Sequence, residues 1–437
     1  MIETQQKKQR FILVAVSTDG EQAERSLDEL SLLVETAGGE EAGRMVQVLD
    51  HPNPGTYVGS GKAEELRAMV SALSADGIVC DDELTPAQTG NLSDLLDAAV
   101  LDRTVVILDI FAARARTSEG KIQVELAQLR YRSSRLTGMR KSLSRLGGGI
   151  GTRGPGEAKL EIDRRRIHSR IGQLKAELED VRVHRELTRQ QRKKNGLFTV
   201  SLAGYTNAGK STLLNRLTGS DVFAEDKLFA TLDPTSRRLI LPDGEPVLVT
   251  DTVGFISKLP HQLIEAFRGT LEEIRYSDLI LHVTDESDPQ AAEHMQVVYA
   301  ALDELGAGSC PVITVLNKCD KKAPDQPRIH DGRAESVLEI SAATGEGLDR
   351  LIEEIASVRS RSRIPFAVTI PWERTGDLEK LRAAGQILEE TYSENGTTVR
   401  GFVPRSYEAL VRRLQEDRFP PESNTYLSEN DQHQKES

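Results

Sequence analysis

The 437-residue chain has only three cysteines and no long apolar run. Cys80, Cys310 and Cys319 are scattered and odd in number, which argues against a disulfide framework or a cysteine metal site and indicates reduced thiols. No run of about 18 apolar residues occurs, and the first residues lack the apolar core of a secretory signal, so the sequence predicts neither a membrane span nor export. We therefore expect a cytoplasmic protein of several domains, and nothing in the sequence demands more than a monomer.

Positive charge is in the minority, and it is unevenly distributed. The net charge of the chain is -12. Residues 114–196 nevertheless contain 22 Lys and Arg against 9 Asp and Glu. A concentrated basic block in an acidic protein indicates an anionic partner that meets this block.

Two heptad series run through the basic block. Their members are Ile122, Leu129, Leu136 and Leu143, then Leu160, Ile167, Leu174 and Val181. Heptad spacing puts each series on one helix face, which predicts an antiparallel helical hairpin. Six of the ten residues 147–156 are glycine, so we expect a flexible tip that can order on RNA. The candidate RNA contacts near it are Arg140, Lys141, Arg145, Arg153, Lys159 and residues 164–166. A solvated helix face with a linker is the alternative.

The most specific motif lies at residues 204–212, which fit the pattern Gly-x4-Gly-Lys-Ser/Thr after an apolar run at 197–203. Such a strand–turn–helix aims backbone N–H groups and the positive helix end at phosphate oxygens. Lys210 would reach the β- and γ-phosphates, and the Ser211 hydroxyl would ligate Mg²⁺. The candidate nucleotide contacts are Gly204, Tyr205, Thr206, Asn207, Ala208, Gly209, Lys210, Ser211 and Thr212.

Three later segments, each after an apolar run, narrow the nucleotide to GTP. Asp251 would hold Mg²⁺, and the Gly254 N–H would sense the γ-phosphate. Asp320 would accept two hydrogen bonds from guanine, whereas adenine would leave this carboxylate unpaired at a cost of several kcal/mol. Residues 341–343 suit a loop that closes over the base. The candidate contacts of these segments are Asp251, Thr252, Val253, Gly254, Asn317, Lys318, Asp320, Ser341, Ala342 and Ala343.

Residues 228–235 form the candidate switch segment. Thr231 would ligate Mg²⁺ and sense the γ-phosphate, and Thr235 is the alternative for this role. Phe229 and Ala230 would lie near the nucleotide. The candidate catalytic residues are Lys210, Thr231 and Gly254. Phe255 follows Gly254 where many small GTPases place a water-orienting Gln. Because Phe cannot orient water by hydrogen bonding, we expect slow unaided hydrolysis.

The pattern of strands and helices predicts an α/β fold in four domains. We expect a parallel α/β domain at 1–112, the hairpin at 113–196, a P-loop GTPase domain with a mostly parallel sheet at 197–360, a small α+β domain at 361–417 and a disordered tail at 418–437. N-terminal strands are expected at 10–16, 45–49, 77–80 and 104–108, with helices near 22–36, 62–74 and 86–98. C-terminal strands are expected at 364–370, 386–392 and 397–403, the last two joined by a tight Asn-Gly turn, with helices at 377–382 and 407–414.

With these residues in view, the chain resembles the HflX family of translation-factor-type GTPases from about residue 10 to about residue 415. The resemblance rests on residues 57–62, 81–88, 148–157, 204–210, 229–235 and 251–255. It implies GTP hydrolysis, binding to the large ribosomal subunit and its rRNA, and splitting of stalled or idle ribosomes, typically under stress. It also implies that the hairpin approaches the peptidyl-transferase region.

Several alternatives stay open at this point. In the family, ATP binding or hydrolysis by the N-terminal region has also been proposed, which makes the glycine loop before Lys62 a candidate ATP site. Asn207 resembles the asparagine of potassium-stimulated GTPases, which makes K⁺ a candidate cofactor, and an Asn that stabilises its own turn is the alternative. A GTPase switch in ribosome assembly or RNA modification, and a non-catalytic nucleotide-gated module, are the other candidate functions.

Overall fold

The structure is a computed structural model that describes residues 8–143, 155–194, 196–219, 228–229, 231–258, 271–323, 326 and 328–416. The chain forms two compact units. The first is drawn from Met1–Glu186, Thr199–Ile240 and Gly244–Leu351, and the second from Leu187–Phe198, Leu241–Asp243 and Ile352–Ser437. Within the described ranges, no helix is both long enough and apolar enough to cross a membrane. The domain boundaries expected near 112, 196 and 360 stay a prediction.

The first unit begins with a four-stranded sheet in which every pair is parallel. The sheet order is β2-β1-β3-β4, made of β1 (Arg10–Ser17), β2 (Glu40–Val48), β3 (Gly77–Cys80) and β4 (Ala99–Asp102). The connecting helices are α1 (Gly20–Thr36), α2 (Ser60–Leu73) and α3 (Pro86–Leu96). Alternate residues of β1 enter two separate apolar cores, as Leu13 and Val14 do. Burial on both faces is typical of a central parallel strand, and the predicted parallel α/β fold of this region is confirmed.

The strand predicted at residues 104–108 is wrong. These residues belong to α4 (Arg103–Arg114), and the strand is the preceding four-residue β4. The Asp102 side chain caps the helix by accepting a hydrogen bond of 3.1 Å from the Val105 N–H. The β-branched run resembles a strand in composition, but the cap and the burial of one helix face outweigh that local preference.

The basic block forms two long helices, α5 (Ser118–Leu143) and α6 (Pro155–Lys194). Arg185 pairs with Glu119, and Arg170 pairs with Glu125 at 2.8 Å, so α6 runs back along α5. The antiparallel hairpin is therefore confirmed for the described residues. Of the candidate RNA contacts, Arg145 and Arg153 lie outside the described residues. Arg140 and Lys141 belong to the last turn of α5, and Lys159 and residues 164–166 belong to the first part of α6.

The first helix of the hairpin packs on the N-terminal sheet. Val124, Ala127 and Tyr131 of α5 are buried in the same core as α4. The Tyr131 hydroxyl donates a hydrogen bond of 3.0 Å to Asp102, the residue that also caps α4. The start of the hairpin is thus fixed to the N-terminal part of the first unit.

A six-stranded sheet follows, in the order β10-β9-β8-β5-β7-β6. Its strands are β5 (Phe198–Gly204), β6 (Thr235–Ile240), β7 (Pro246–Asp251), β8 (Leu279–Asp285), β9 (Val312–Asn317) and β10 (Ser336–Glu339). The helices along this stretch of the chain are α7 (Lys210–Thr218), α8 (Ala291–Glu304) and α9 (Leu348–Arg361), and most of α9 belongs to the second unit. The pairs β5–β8, β8–β9 and β9–β10 are parallel, and β6 is antiparallel to β7. The carboxyl ends of the parallel strands therefore meet at one edge, where ligands of such folds bind.

The second unit contains an antiparallel sheet in the order β11-β13-β12. Its elements are β11 (Arg363–Ile370), α10 (Thr375–Ala384), β12 (Gln386–Ser393), β13 (Gly396–Pro404) and α11 (Glu408–Glu416). Strands β12 and β13 are joined by a two-residue turn before Gly396, whose φ is +136°. Half-exposed Trp372 stacks on Tyr392, with the ring centroids 6.4 Å apart. The predicted α+β fold is confirmed, and the expected tail at 418–437 lies outside the described residues.

Candidate nucleotide site

The phosphate loop joins β5 to α7. Gly209 precedes the helix with φ +93°, a conformation that strains other residues. The Lys210 ammonium folds back over the loop and donates hydrogen bonds to the carbonyls of Gly204 (3.0 Å) and Tyr205 (2.7 Å). Burial lowers the pKa of Lys210 to about 8. The loop thus holds a cation at the helix N-terminus, where phosphate oxygens would enter.

Three side-chain oxygens from separate segments meet beside this loop. The Asp251 Oδ2 atom lies 2.7 Å from the Ser211 Oγ and 2.9 Å from the Thr231 Oγ1. The two hydroxyl oxygens are 2.8 Å apart. Burial raises the pKa of Asp251, and the buried Oδ1 atom has no hydrogen-bond partner among the described residues. Two hydroxyls and a carboxylate with an unsatisfied oxygen fit the hard oxygen donors that Mg²⁺ takes in GTPases.

The segment after Asp251 is pinned to the phosphate loop through its backbone. The Phe255 N–H donates to the Gly204 carbonyl (3.1 Å), and the Thr206 N–H donates to the Phe255 carbonyl (2.7 Å). The Phe255 ring is buried in the core. A Cβ on Gly254 would lie 3.0 Å from the Lys210 Nζ atom, so this glycine borders the place expected for a terminal phosphate. Phe255 therefore acts in packing and presents no polar group to water.

The expected guanine loops are linked by Asn317. Its Nδ2 donates to the Ala208 carbonyl (2.8 Å), and its Oδ1 accepts from the Ala342 N–H (2.9 Å). Lys318 has φ +64° and its ammonium lies 2.6 Å from Asp285. Asn317 thus ties the phosphate loop to the loop that would close over the base.

Arg216 of α7 is a residue of this site that the sequence did not indicate. Its guanidinium donates to the carbonyls of Ala343 (2.7 Å) and Ala342 (3.3 Å). The phosphate-loop helix therefore holds the base loop from a second side. An exposed arginine in a helix carries no local signal of such a contact, because its partners lie 126 and 127 residues away.

One cleft gathers most of the predicted residues. Its lining includes Thr206, Asn207, Gly209, Lys210, Ser211, Thr212, Phe229, Thr231, Thr252, Gly254, Asn317, Lys318, Asp320, Ala342 and Ala343. Lys321 also lines it and was not predicted. Six predicted residues are buried beside the cleft: Gly204, Tyr205, Ala208, Asp251, Val253 and Ser341. Ala230 lies outside the described residues. Thr235, the alternative switch threonine, begins β6 and donates to the Asp233 carbonyl.

The N-terminal sheet and its helices contact the phosphate loop and the segment that follows Asp251. The Tyr205 hydroxyl bonds Glu29 of α1 and the Ser257 Oγ (2.7 Å). Lys258 pairs with Asp81, and its Nζ lies 2.8 Å from Asp82. These long-range polar contacts were not predicted.

The glycine loop before Lys62 is occupied by local contacts. The Lys62 ammonium lies 2.6 Å from Glu65 of the same helix, and the Gly59 N–H donates to the Gln47 side chain (2.8 Å). These groups satisfy one another, and ATP binding here stays a prediction.

A phosphate loop, a magnesium-type oxygen cluster and a guanine-type loop at the carboxyl edge of a parallel sheet define a P-loop GTPase. Three family models match the chain: GTP-binding GTPase N-terminal at residues 24–112, GTP-binding GTPase Middle Region at 114–192, and 50S ribosome-binding GTPase at 199–318. The chain is 57% identical over 405 residues to the GTPase HflX of Lacrimispora saccharolytica, covering 92% of this chain and 96% of that protein. It therefore belongs to the HflX family of GTPases and hydrolyses GTP.

A second relative agrees with this assignment. The GTPase HflX of Escherichia coli is 42% identical over 393 residues, covering 90% of this chain and 92% of that protein. Among solved structures, a GTP-binding protein of Sulfolobus solfataricus in complex with GDP is 23% identical, with a TM-score of 0.42, and covers 80% of this chain and 99% of that one.

Proposed function

We propose that this GTPase binds the large ribosomal subunit through rRNA and uses GTP to split stalled or idle ribosomes. The observation that carries the proposal is the concentration of 22 Lys and Arg against 9 Asp and Glu in residues 114–196, which build the two long hairpin helices of an otherwise acidic protein. A slender cationic hairpin suits a crevice lined by phosphates. The model name 50S ribosome-binding GTPase, matched at residues 199–318, supports the same partner.

The site chemistry follows from the cleft. Lys210 neutralises the β- and γ-phosphates, the Gly254 N–H contacts the γ-phosphate, and Asp320 accepts hydrogen bonds from guanine. Ser211, Thr231 and Asp251 would hold Mg²⁺, which when bound would neutralise charge on the phosphates. Phe255 cannot take the place of a water-orienting Gln, because its ring is buried and carries no hydrogen-bonding group. Unaided hydrolysis is therefore slow, and docking on the ribosome supplies the missing stabilisation.

We also propose that K⁺ assists hydrolysis near Asn207. This residue borders the cleft with φ +61°. Within the described part of the chain, its side chain bonds no atom of its own turn. Equal hydrolysis rates in potassium and sodium chloride at matched ionic strength would remove this role. Monomeric action and ATP binding near Lys62 stay predictions.

Sedimentation tests the main proposal. Intact ribosomes are incubated with the full chain and GTP, a non-hydrolysable GTP analogue or GDP, and then separated on a sucrose gradient. Splitting predicts growth of the free-subunit peaks with GTP or its analogue and little change with GDP. Binding without any growth of free subunits would favour a switch in ribosome assembly or RNA modification.

Charge variants separate the hairpin tip from general electrostatics. Arg145→Ala with Arg153→Ala should weaken ribosome affinity and flatten its salt dependence. Lys175→Ala with Arg182→Ala removes the same charge from exposed positions along α6 and is the matched control. If both pairs weaken binding equally, the tip has no special role. Lys210→Ala should abolish every nucleotide-dependent difference.

A further inference from the structure

Asp233 lies two residues after Thr231 and makes contacts unlike those of a free surface carboxylate. Its Oδ2 atom accepts hydrogen bonds from the N–H groups of Arg116 and Thr117, both at 2.9 Å. Its Oδ1 atom accepts the Thr117 hydroxyl at 2.5 Å. The Thr117 Oγ1 in turn accepts the Gly120 N–H (2.9 Å) and caps α5. Asp233 is therefore bound across the N-terminus of the first hairpin helix, where the helix dipole favours a negative charge.

Gly120 makes this approach possible. A Cβ at position 120 would lie 2.4 Å from the Asp233 Oδ1, closer than real Cβ atoms come to an oxygen. The backbone of Gly120 is helical, so the missing side chain is not needed for conformation. Glycine here is a poorer helix former than alanine, and the space that it leaves is filled by the carboxylate.

The residues around Thr231 are fastened to the same helices. Phe229 packs edge-to-face on Phe111 of α4, with centroids 4.7 Å apart, and Leu232 is buried in the core that α4 and α5 share. Thr231 itself reaches the Ser211–Asp251 oxygens. Between two anchored neighbours, the position of the Thr231 hydroxyl depends on where the chain is held at residue 233.

We propose that Asp233 is a positioning residue for GTP hydrolysis, which keeps Thr231 at the magnesium oxygens by binding the start of α5. The proposal rests on the role given above to Thr231. The same contact links α5 to the nucleotide site, so that a displacement of the start of α5 changes the position of Thr231, and nucleotide binding at Thr231 affects α5 in return. This contact lies within the chain, so its effect on hydrolysis does not require the ribosome.

Hydrolysis by the full chain without ribosomes tests this. Single-turnover phosphate release is measured across Mg²⁺ concentrations, and the Kd for a fluorescent GDP is measured in parallel. Asp233→Ala should lower the hydrolysis rate about tenfold and raise the Mg²⁺ concentration for half-maximal rate several-fold. GDP affinity should change less than twofold, since Thr231 is not needed to hold a diphosphate. Unchanged rate and Mg²⁺ dependence, or a parallel loss of GDP affinity, would overturn the proposal.

Gly120→Ala perturbs the same contact from the helix side. The gain in helix propensity and the loss of the Asp233 contacts at the helix N-terminus should offset each other, so the melting temperature should change little. The rate should nevertheless fall as in Asp233→Ala, because the new methyl group displaces the carboxylate. The double variant should lose no more of the hydrolysis rate than either single variant does.

Asp233→Asn should retain most of the hydrolysis rate, because the amide oxygen can accept the two N–H groups and the amide nitrogen can donate to the Thr117 hydroxyl oxygen. Arg238→Ala, exposed on β6, is the control and should have no effect. A neutral Gly120→Ala would refute the idea, and since ribosomes are absent the result is independent of ribosome splitting.

Discussion

Nucleotide binding should take up a proton through Lys210. In the free protein, burial lowers the pKa of this ammonium to about 8. A bound triphosphate places several negative charges beside it and restores the charged form, so the pKa in the complex is higher than in the free protein. Binding must therefore draw protons from solution near pH 8, and affinity must fall as the pH rises through the pKa of the free protein.

The size of the effect follows from that pKa. With a pKa of about 8, roughly nine tenths of the free molecules carry charged Lys210 at pH 7, about half at pH 8 and about a quarter at pH 8.5. Proton uptake should thus rise from about 0.1 per nucleotide at pH 7 to about 0.5 at pH 8. The affinity for GDP or a GTP analogue should fall about fourfold between pH 7 and pH 8.5, or about 0.8 kcal/mol.

Calorimetry measures this directly. Titrations in two buffers with different ionisation enthalpies give the number of protons taken up at each pH. Guanosine, which lacks phosphates and does not reach Lys210, serves as the matched ligand and should show no uptake. If GDP binds at pH 8 without proton uptake, the ammonium is already fully charged in the free loop and the reasoning from its burial is refuted.

Three further substitutions or conditions have defined outcomes. Lowering the pH from 7 to 5 should reduce the unfolding free energy by about 2 kcal/mol through His282, because burial lowers the pKa of this side chain from 6.5 to about 4 and the unfolded chain therefore binds the proton more readily. Denaturant titration at both pH values measures the loss, which should be about 2 kcal/mol smaller in His282→Leu. Arg216→Ala should release GDP about fivefold faster in stopped-flow measurements, since the carbonyls of Ala342 and Ala343 lose their guanidinium, and an unchanged rate would show the base loop to be held without it. Phe255→Gln should not accelerate hydrolysis and should lower the unfolding free energy by about 2–4 kcal/mol, because the amide replaces a buried ring; faster phosphate release would show that the side chain can reach the cleft.

The phosphate loop and the base loops could be predicted because each is formed by a short run of consecutive residues with a recognisable spacing. The spacing from Gly204 to Ser211 fixes a turn between a strand and a helix, and Asp320 follows the buried strand β9. The same locality explains the error at residues 104–108, where the composition favours a strand and a single cap at Asp102 starts a helix. Strand or helix at such a run is decided by its ends and its burial, which composition does not record.

The contacts that organise the site were not predictable in this way. Tyr205 and Glu29 are 176 residues apart, and Asp233 reaches Thr117 across 116 residues. A polar side chain that bonds a distant backbone leaves no periodic pattern in the sequence. Arg216 illustrates the same limit, since nothing near it in the chain distinguishes it from a solvated surface arginine.

The Trp372–Tyr392 stack has a practical consequence for measuring stability. Trp372 is the sole tryptophan of the chain, and it belongs to the second unit. Tryptophan fluorescence, excited selectively at long ultraviolet wavelengths, therefore reports on the C-terminal sheet and not on the GTPase region. Melting curves from that emission and from circular dichroism will coincide only if both units unfold as one cooperative transition. The chain thus carries its own reporter for separate unfolding, without an introduced label.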